Sequence, residues 1–205
     1  MGRAYIGALE QRGVVATPKH FVANVGDGGR DSYPIEVSER QLRERYYPPF
    51  RSAIRDAGAR AVMSEYNSVD GSPASQNRVL LTEVLRRGWG FEGIMMSDAA
   101  ATGGATVLHH TEASTATATR HALESGLDVI FQSTWEQHRP YLAAFRNAGI
   151  APAVIDSAVA RVLRLKFALG LLDAPYGDAE RAATLGRASC ARARGGDGGH
   201  GAAAQ

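Results

Sequence analysis

The residues able to do chemistry in this chain fall at the ends of apolar runs. "GIMMSD" (93–98) passes from three apolar residues into Ser97 and Asp98. "VVATPKHF" (14–21) runs into Lys19 and His20, and "RAVMSEYN" (60–67) into Ser64, Glu65, Tyr66 and Asn67. "LDVIF" (127–131) is followed by Gln132. Each run is short and apolar on successive positions, so it reads as a strand buried on both faces. In parallel α/β folds the carboxyl ends of the strands form the binding face. Four strands that bring a carboxylate, an ammonium, an imidazole, a phenol and amides to that face make a candidate site.

Each residue also has a plainer reading. Asp98 could cap a following helix, but the helical pattern resumes only near Glu112, so capping is the weaker reading. Lys19 could lie along the surface, yet directly after "VVATP" it reaches water only at the strand end. His20, Tyr66 and Met63, taken singly, fit core positions. Asp27, Asp31 and Asp70 read as turn residues. "GDGG" lacks the Gly-Lys-Ser/Thr of a phosphate loop, and "ATGGAT" is only a weak candidate for one. Adjacent His109 and His110 cannot chelate one metal well, and no third ligand is suggested by spacing. No metal and no cofactor are expected.

The elements that would carry these strand ends alternate with them. A helix ends at Gly13. Ser38 opens another, with Gln41 three residues on as a capping box and Leu42, Tyr46, Phe50 and Ile54 as its apolar stripe. Pro48 and Pro49 should kink or split it. "SVDGSPASQN" reads as a loop, 78–88 as a helix stopped by Gly88, and "AATGGA" as a loop. Helices follow over 112–125, 136–147 and 156–169, stopped at Gly126 and Gly170. Strand and helix in turn imply a parallel sheet covered by helices. From about residue 186 the chain is Gly/Ala-rich without apolar periodicity, and a disordered tail is expected there.

With 205 residues the chain can bury a real core. A net charge of +2 is too small to imply a nucleic-acid or anionic-membrane partner. The lone Cys190 excludes a disulfide within the chain and a cysteine zinc site. No apolar run approaches the ~20 residues that cross a bilayer. The first residues do not read as a secretory signal, which leaves cytoplasmic and periplasmic or secreted locations both open.

In order, "VVATPKHFVAN", "GGRDS", "SERQLRERYYPPFRSAI", "AGARAVMSEYNSVDGSPASQN", "LLTEVLRRGWGFEGIMMSD", "ALESGLDV" and "AVARVLRLKFALGLLDAPY" resemble consecutive segments of glycoside hydrolase family 3, the β-glucosidase and β-xylosidase type. The resemblance implies the second half of a (β/α)8 barrel, a partial domain over 1–185 followed by the tail 186–205. It implies a retaining hydrolysis of terminal β-glycosides in which Asp98 is the nucleophile. Lys19, His20 and Arg30 would hold the sugar at the subsite where the bond is cut, and Tyr66 would lie close to the nucleophile. Met63 is a further candidate for the substrate-binding set. The substrate would be a β-glycoside or oligosaccharide.

Two departures stand out. Ala99 occupies a position where the family often carries a tryptophan. The resemblance leaves the first barrel half and a second α/β domain, which usually supplies the acid/base glutamate, to be expected in a full-length enzyme. Glu65 is near the site, but the family does not use it as the acid. Near residue 187 the similarity dissolves, which suggests a frameshift or truncated reading frame. The competing reading is a non-catalytic remnant that binds a sugar or a partner chain.

Overall fold

The computed structural model describes residues 1–24, 32–147 and 149–177. Arg30, Asp27, Asp31 and the expected tail lie outside the described residues. The chain divides into two compact units, Met1–Leu165 and Lys166–Gln205.

The first unit begins with α1 (Gly2–Glu10). Ser38 then opens a long helical stretch with the expected capping box: Ser38 Oγ accepts from the Gln41 amide, and Gln41 Oε1 accepts from the Ser38 amide. The stretch is α2 (Glu39–Gln41), a π turn (Leu42–Tyr46) and α3 (Tyr47–Arg55) in unbroken succession. Pro48 and Pro49 do not split it. They sit in the first turn of α3, and the widened turn before them lets the Tyr47 amide reach the Leu42 carbonyl five residues back.

β1 (Ala61–Met63) follows. The next stretch is not the simple loop expected: β2 (Ser68–Val69) and β3 (Ser72–Pro73) form a hairpin. Asp70 and Gly71 turn it with φ of +50° and +79°, the left-handed pair that a two-residue hairpin turn requires. A π-helix (Val79–Gly88) then buries Leu80, Leu81 and Leu85. β4 (Ile94–Met96) leads to α4 (Ala101–Val107), which occupies the stretch read as the loop "AATGGA". That reading failed because two glycines in seven residues hide a helix whose small side chains let it pack closely. A Cβ on Gly103 would lie 2.6 Å from the Tyr141 hydroxyl. α5 (Thr115–Ser125), α6 (Trp135–Asn147) and α7 (Pro152–Ala168) complete the order.

β1 and β4 pair in parallel, with Ala61, Val62 and Met63 opposite Ile94, Met95 and Met96. The two outer expected strands are present only as single bridges, Phe21 to Ser64 and Val129 to Met96, both parallel. Local chemistry explains their irregularity. Pro18 has no amide, so it offers only its carbonyl, which accepts from the Met63 amide at 3.1 Å. On the other side Phe131 donates its amide to the Ser97 hydroxyl at 3.0 Å instead of to a backbone carbonyl. Four extended segments therefore lie side by side in chain order.

The helix-facing side of this sheet is the core. Val62 and Met95, partners in the register, are fully buried among Leu80, Leu81, Leu85 and Leu127. Phe21 packs edge-on against Phe50 and Trp89 with ring centres 5.2 and 5.7 Å apart. Two buried carboxylates brace the sheet. Glu10 accepts from the amides of Ala16 and Arg60 and from the Arg60 guanidinium. Asp128, whose side chain is wholly buried, takes Arg86 on one oxygen and Arg161 of α7 on the other, with the Met95 amide at 2.8 Å. Arg86 also donates to the carbonyls of Phe91, Gly93 and Gly126.

Removing the shared carboxylate leaves two partly buried guanidinium groups without their ion-pair partner. Asp128→Ala is expected to cost about 3–5 kcal/mol, measured as a lower urea midpoint at unchanged m-value. An unchanged midpoint would contradict the brace.

Candidate active site

Because side chains alternate along a strand, Met63 and Met96 face away from the helices, opposite Val62 and Met95. Both are half-buried. Asp98 follows Met96 by two residues and continues the same face. The backbone after Asp98 turns at once: Ala100 takes φ +64°, and the Ala101 amide donates to the Asp98 carbonyl at 3.1 Å. The helix that follows has Ala100 as its cap and no side-chain cap. The reason given from sequence against capping, a helix starting only near Glu112, is therefore wrong, although Asp98 is still not the cap.

Asp98 is 7% exposed. Its Oδ1 accepts from the Ala99 amide at 2.7 Å. Its Oδ2 lies 2.8 Å from His20 Nε2. His20 comes from the segment on the far side of β1, so the contact spans the end of that strand. His20 Nδ1 lies 3.0 Å from Asn24 Nδ2. The structure thus brings two of the sequence-chosen residues, His20 and Asp98, into direct contact.

Lys19 is exposed and joined to His20 by a cis peptide bond, and among the described residues no ion pair links it to Asp98. Met63 lies beside Met96 in the β1–β4 register. Tyr66 is half-buried at the end of the β1 segment, where its carbonyl accepts from His109 Nε2 at 2.6 Å. That bond ties the loop after α4 to the residues following β1. Among the described residues no group of three His, Cys, Asp or Glu could hold a metal ion.

Two participants escaped the sequence reading. Asn24 stands four residues after His20, and no periodicity marks it. The sequence offers His109 only as a metal ligand, while its partner is a carbonyl 43 residues away.

Glu65 is 1% exposed, and neither carboxyl oxygen has a hydrogen-bond partner among the described residues. Burial pushes its carboxyl up to about 9, against weaker opposing pulls from Asn67 and the Val22 backbone. It is a neutral acid at pH 7. A groove of about 900 Å³ between α3 and the π-helix, lined by Arg43, Tyr47, Arg51, Glu83 and Trp89 among others, shares no residue with the Asp98 cluster.

The family model for the glycosyl hydrolase family 3 N terminal domain matches residues 1–165. The chain belongs to this family. Among curated relatives, a β-glucosidase of Rhizobium radiobacter is 37% identical over 183 residues, covering 89% of this chain and 21% of the relative. A periplasmic β-glucosidase of Salmonella typhimurium is 34% identical over 184 residues, covering 86% and 24%. The solved β-glucosidase of Listeria innocua in complex with gluconolactone superposes with a TM-score of 0.76 at 30% identity, covering 85% of this chain and 25% of that one. The α/β fold described above is thus like that of solved family 3 β-glucosidases. The chain spans 21% and 24% of the length of these two curated relatives.

The buried acid gives a pH test. Glu65 is raised in the folded chain, so its contribution to stability is complete below about 4.5, where both states are protonated, and is lost as pH rises towards about 9. Glu65→Gln should match wild type near pH 4 and exceed it at pH 7 by on the order of 3 kcal/mol. Parallel stability curves for the two proteins would refute the assignment.

Proposed function

We propose that this chain carries the second half of a (β/α)8 barrel, over 1–185, of a retaining glycosidase acting on terminal β-linked glycosides, and that Asp98 is its nucleophile. The observation that carries this reading is the His20–Asp98 contact at the carboxyl ends of neighbouring parallel segments, within a family 3 chain whose curated relatives include β-glucosidases. A nucleophilic carboxylate must be ionised, aimed and fixed on a rigid element. Asp98 accepts donors on both oxygens and stands at the end of β4, on the sheet face away from the helices.

In the first step an Asp98 oxygen bonds to the anomeric carbon as the glycosidic C–O bond breaks, and the departing oxygen takes a proton from a general acid. In the second, water attacks the same carbon, Asp98 leaves, and the acid regains its proton. Lys19, His20, Arg30 and Tyr66 hold the sugar around that carbon, with Met63 against it. Glu65 is not the acid: both its carboxyl oxygens are buried, out of reach of a leaving group. The acid, the first barrel half and a second domain come from sequence outside this segment.

The test uses the polypeptide that carries these residues. Asp98→Gly should cut hydrolysis of an aryl β-glucoside about 10⁴-fold, and azide should restore turnover by giving the glycosyl azide of opposite anomeric configuration. Full activity in the variant would remove Asp98 from the mechanism. Sugar binding without turnover in wild type would favour the non-catalytic reading.

A further inference from the structure

Asn24 belongs to none of the groups assigned above, yet it completes a chain of contacts ending on Asp98. Its Nδ2 lies 3.0 Å from His20 Nδ1, and His20 Nε2 lies 2.8 Å from Asp98 Oδ2. A side-chain amide nitrogen only donates. The ring nitrogen facing it must therefore accept, and so carries no proton. A neutral imidazole then has its single proton on Nε2, which is the nitrogen facing the carboxylate.

We propose that Asn24 is a positioning residue: by donating to His20 Nδ1 it fixes the imidazole proton on Nε2, and the Nε2–H holds Asp98 Oδ2 in place. This rests on the reading of Asp98 as nucleophile. Its chemical value lies in the neutral donor. A hydrogen bond from an uncharged imidazole anchors one carboxylate oxygen without placing a full positive charge against it. An imidazolium at the same spot would stabilise the carboxylate more strongly and blunt its attack. With Ala99 donating to Oδ1, each oxygen is anchored once and keeps a second lone-pair site for the anomeric carbon. Asn24 also lies in the segment that carries His20, so the donor and the ring it orients are set by one stretch of backbone.

Long-range ¹⁵N–¹H NMR of the full chain, labelled at histidine, reads the tautomer at pH 7. The expected spectrum shows His20 with Nε2 protonated and Nδ1 bare. A proton on Nδ1 in wild type overturns the proposal, whatever the variants do. Asn24→Asp, whose carboxylate only accepts, should move a proton onto Nδ1. Asn24→Ala should leave the tautomers mixed. The other five imidazoles serve as the internal control for folding, and an unchanged His20 pattern in both variants also overturns it. Asn24→Ala should further slow covalent labelling of Asp98 by a mechanism-based glycoside about tenfold. The two readings fail separately. Labelling with His20 protonated on Nδ1 removes the role of Asn24 and keeps the nucleophile. The expected tautomer without labelling keeps the geometry and removes the glycosidase reading.

Discussion

Everything at the site follows from the parallel register of β1 and β4. Setting Val62 opposite Met95 turns both into the helical core, and the same register turns Met63, Met96 and Asp98 to the other face. A slip of one residue would exchange those faces, burying Asp98 against Leu80 and Leu85 and exposing Met95. The cost of burying an aspartate in that aliphatic layer protects the register. The position of the Asp98 carboxylate is thus a consequence of core packing, secured by residues that never approach it.

Four buried or nearly buried acids divide the work. Glu10 and Asp128 are paired with arginines and gather backbone amides, which suits a brace between the start of one element and the next. Asp98 has no arginine among its described contacts. It has a backbone amide and an imidazole, a lighter hold than the arginine pairs of the two braces. Glu65 has no arginine and no hydrogen-bond partner on either carboxyl oxygen among the described residues, and burial keeps it neutral. The same functional group therefore serves as a structural strut, a candidate nucleophile and a neutral acid, according to what surrounds it.

Much of this was legible in the sequence because the signals are local. Apolar runs ending in polar residues mark the strand ends, Ser38 with Gln41 marks a helix start, and Gly126 marks a stop. The capping box and the parallel neighbours are present as expected. What failed depended on distant partners or on turns without a sequence signature. The helix α4 reads as a loop because its glycines make sense only against Tyr141. The hairpin around Asp70 and Gly71 is too short to show an alternation of its own. The prolines read as a break because the π turn that absorbs them has no sequence signature. Arg30 lies outside the described residues, so its place beside the sugar stands on resemblance alone. The roles of Asn24 and His109 arise from contacts that spacing does not encode.

The most direct measurement is covalent trapping. The polypeptide carrying this segment would be incubated with a fluorinated or aziridine β-glycoside, digested, and its labelled peptide sequenced by mass spectrometry. The account predicts one added glycosyl group, carried as an ester on Asp98. A label on Glu65 or any other carboxylate, or unchanged mass in a protein that still turns over β-glycosides, would contradict it.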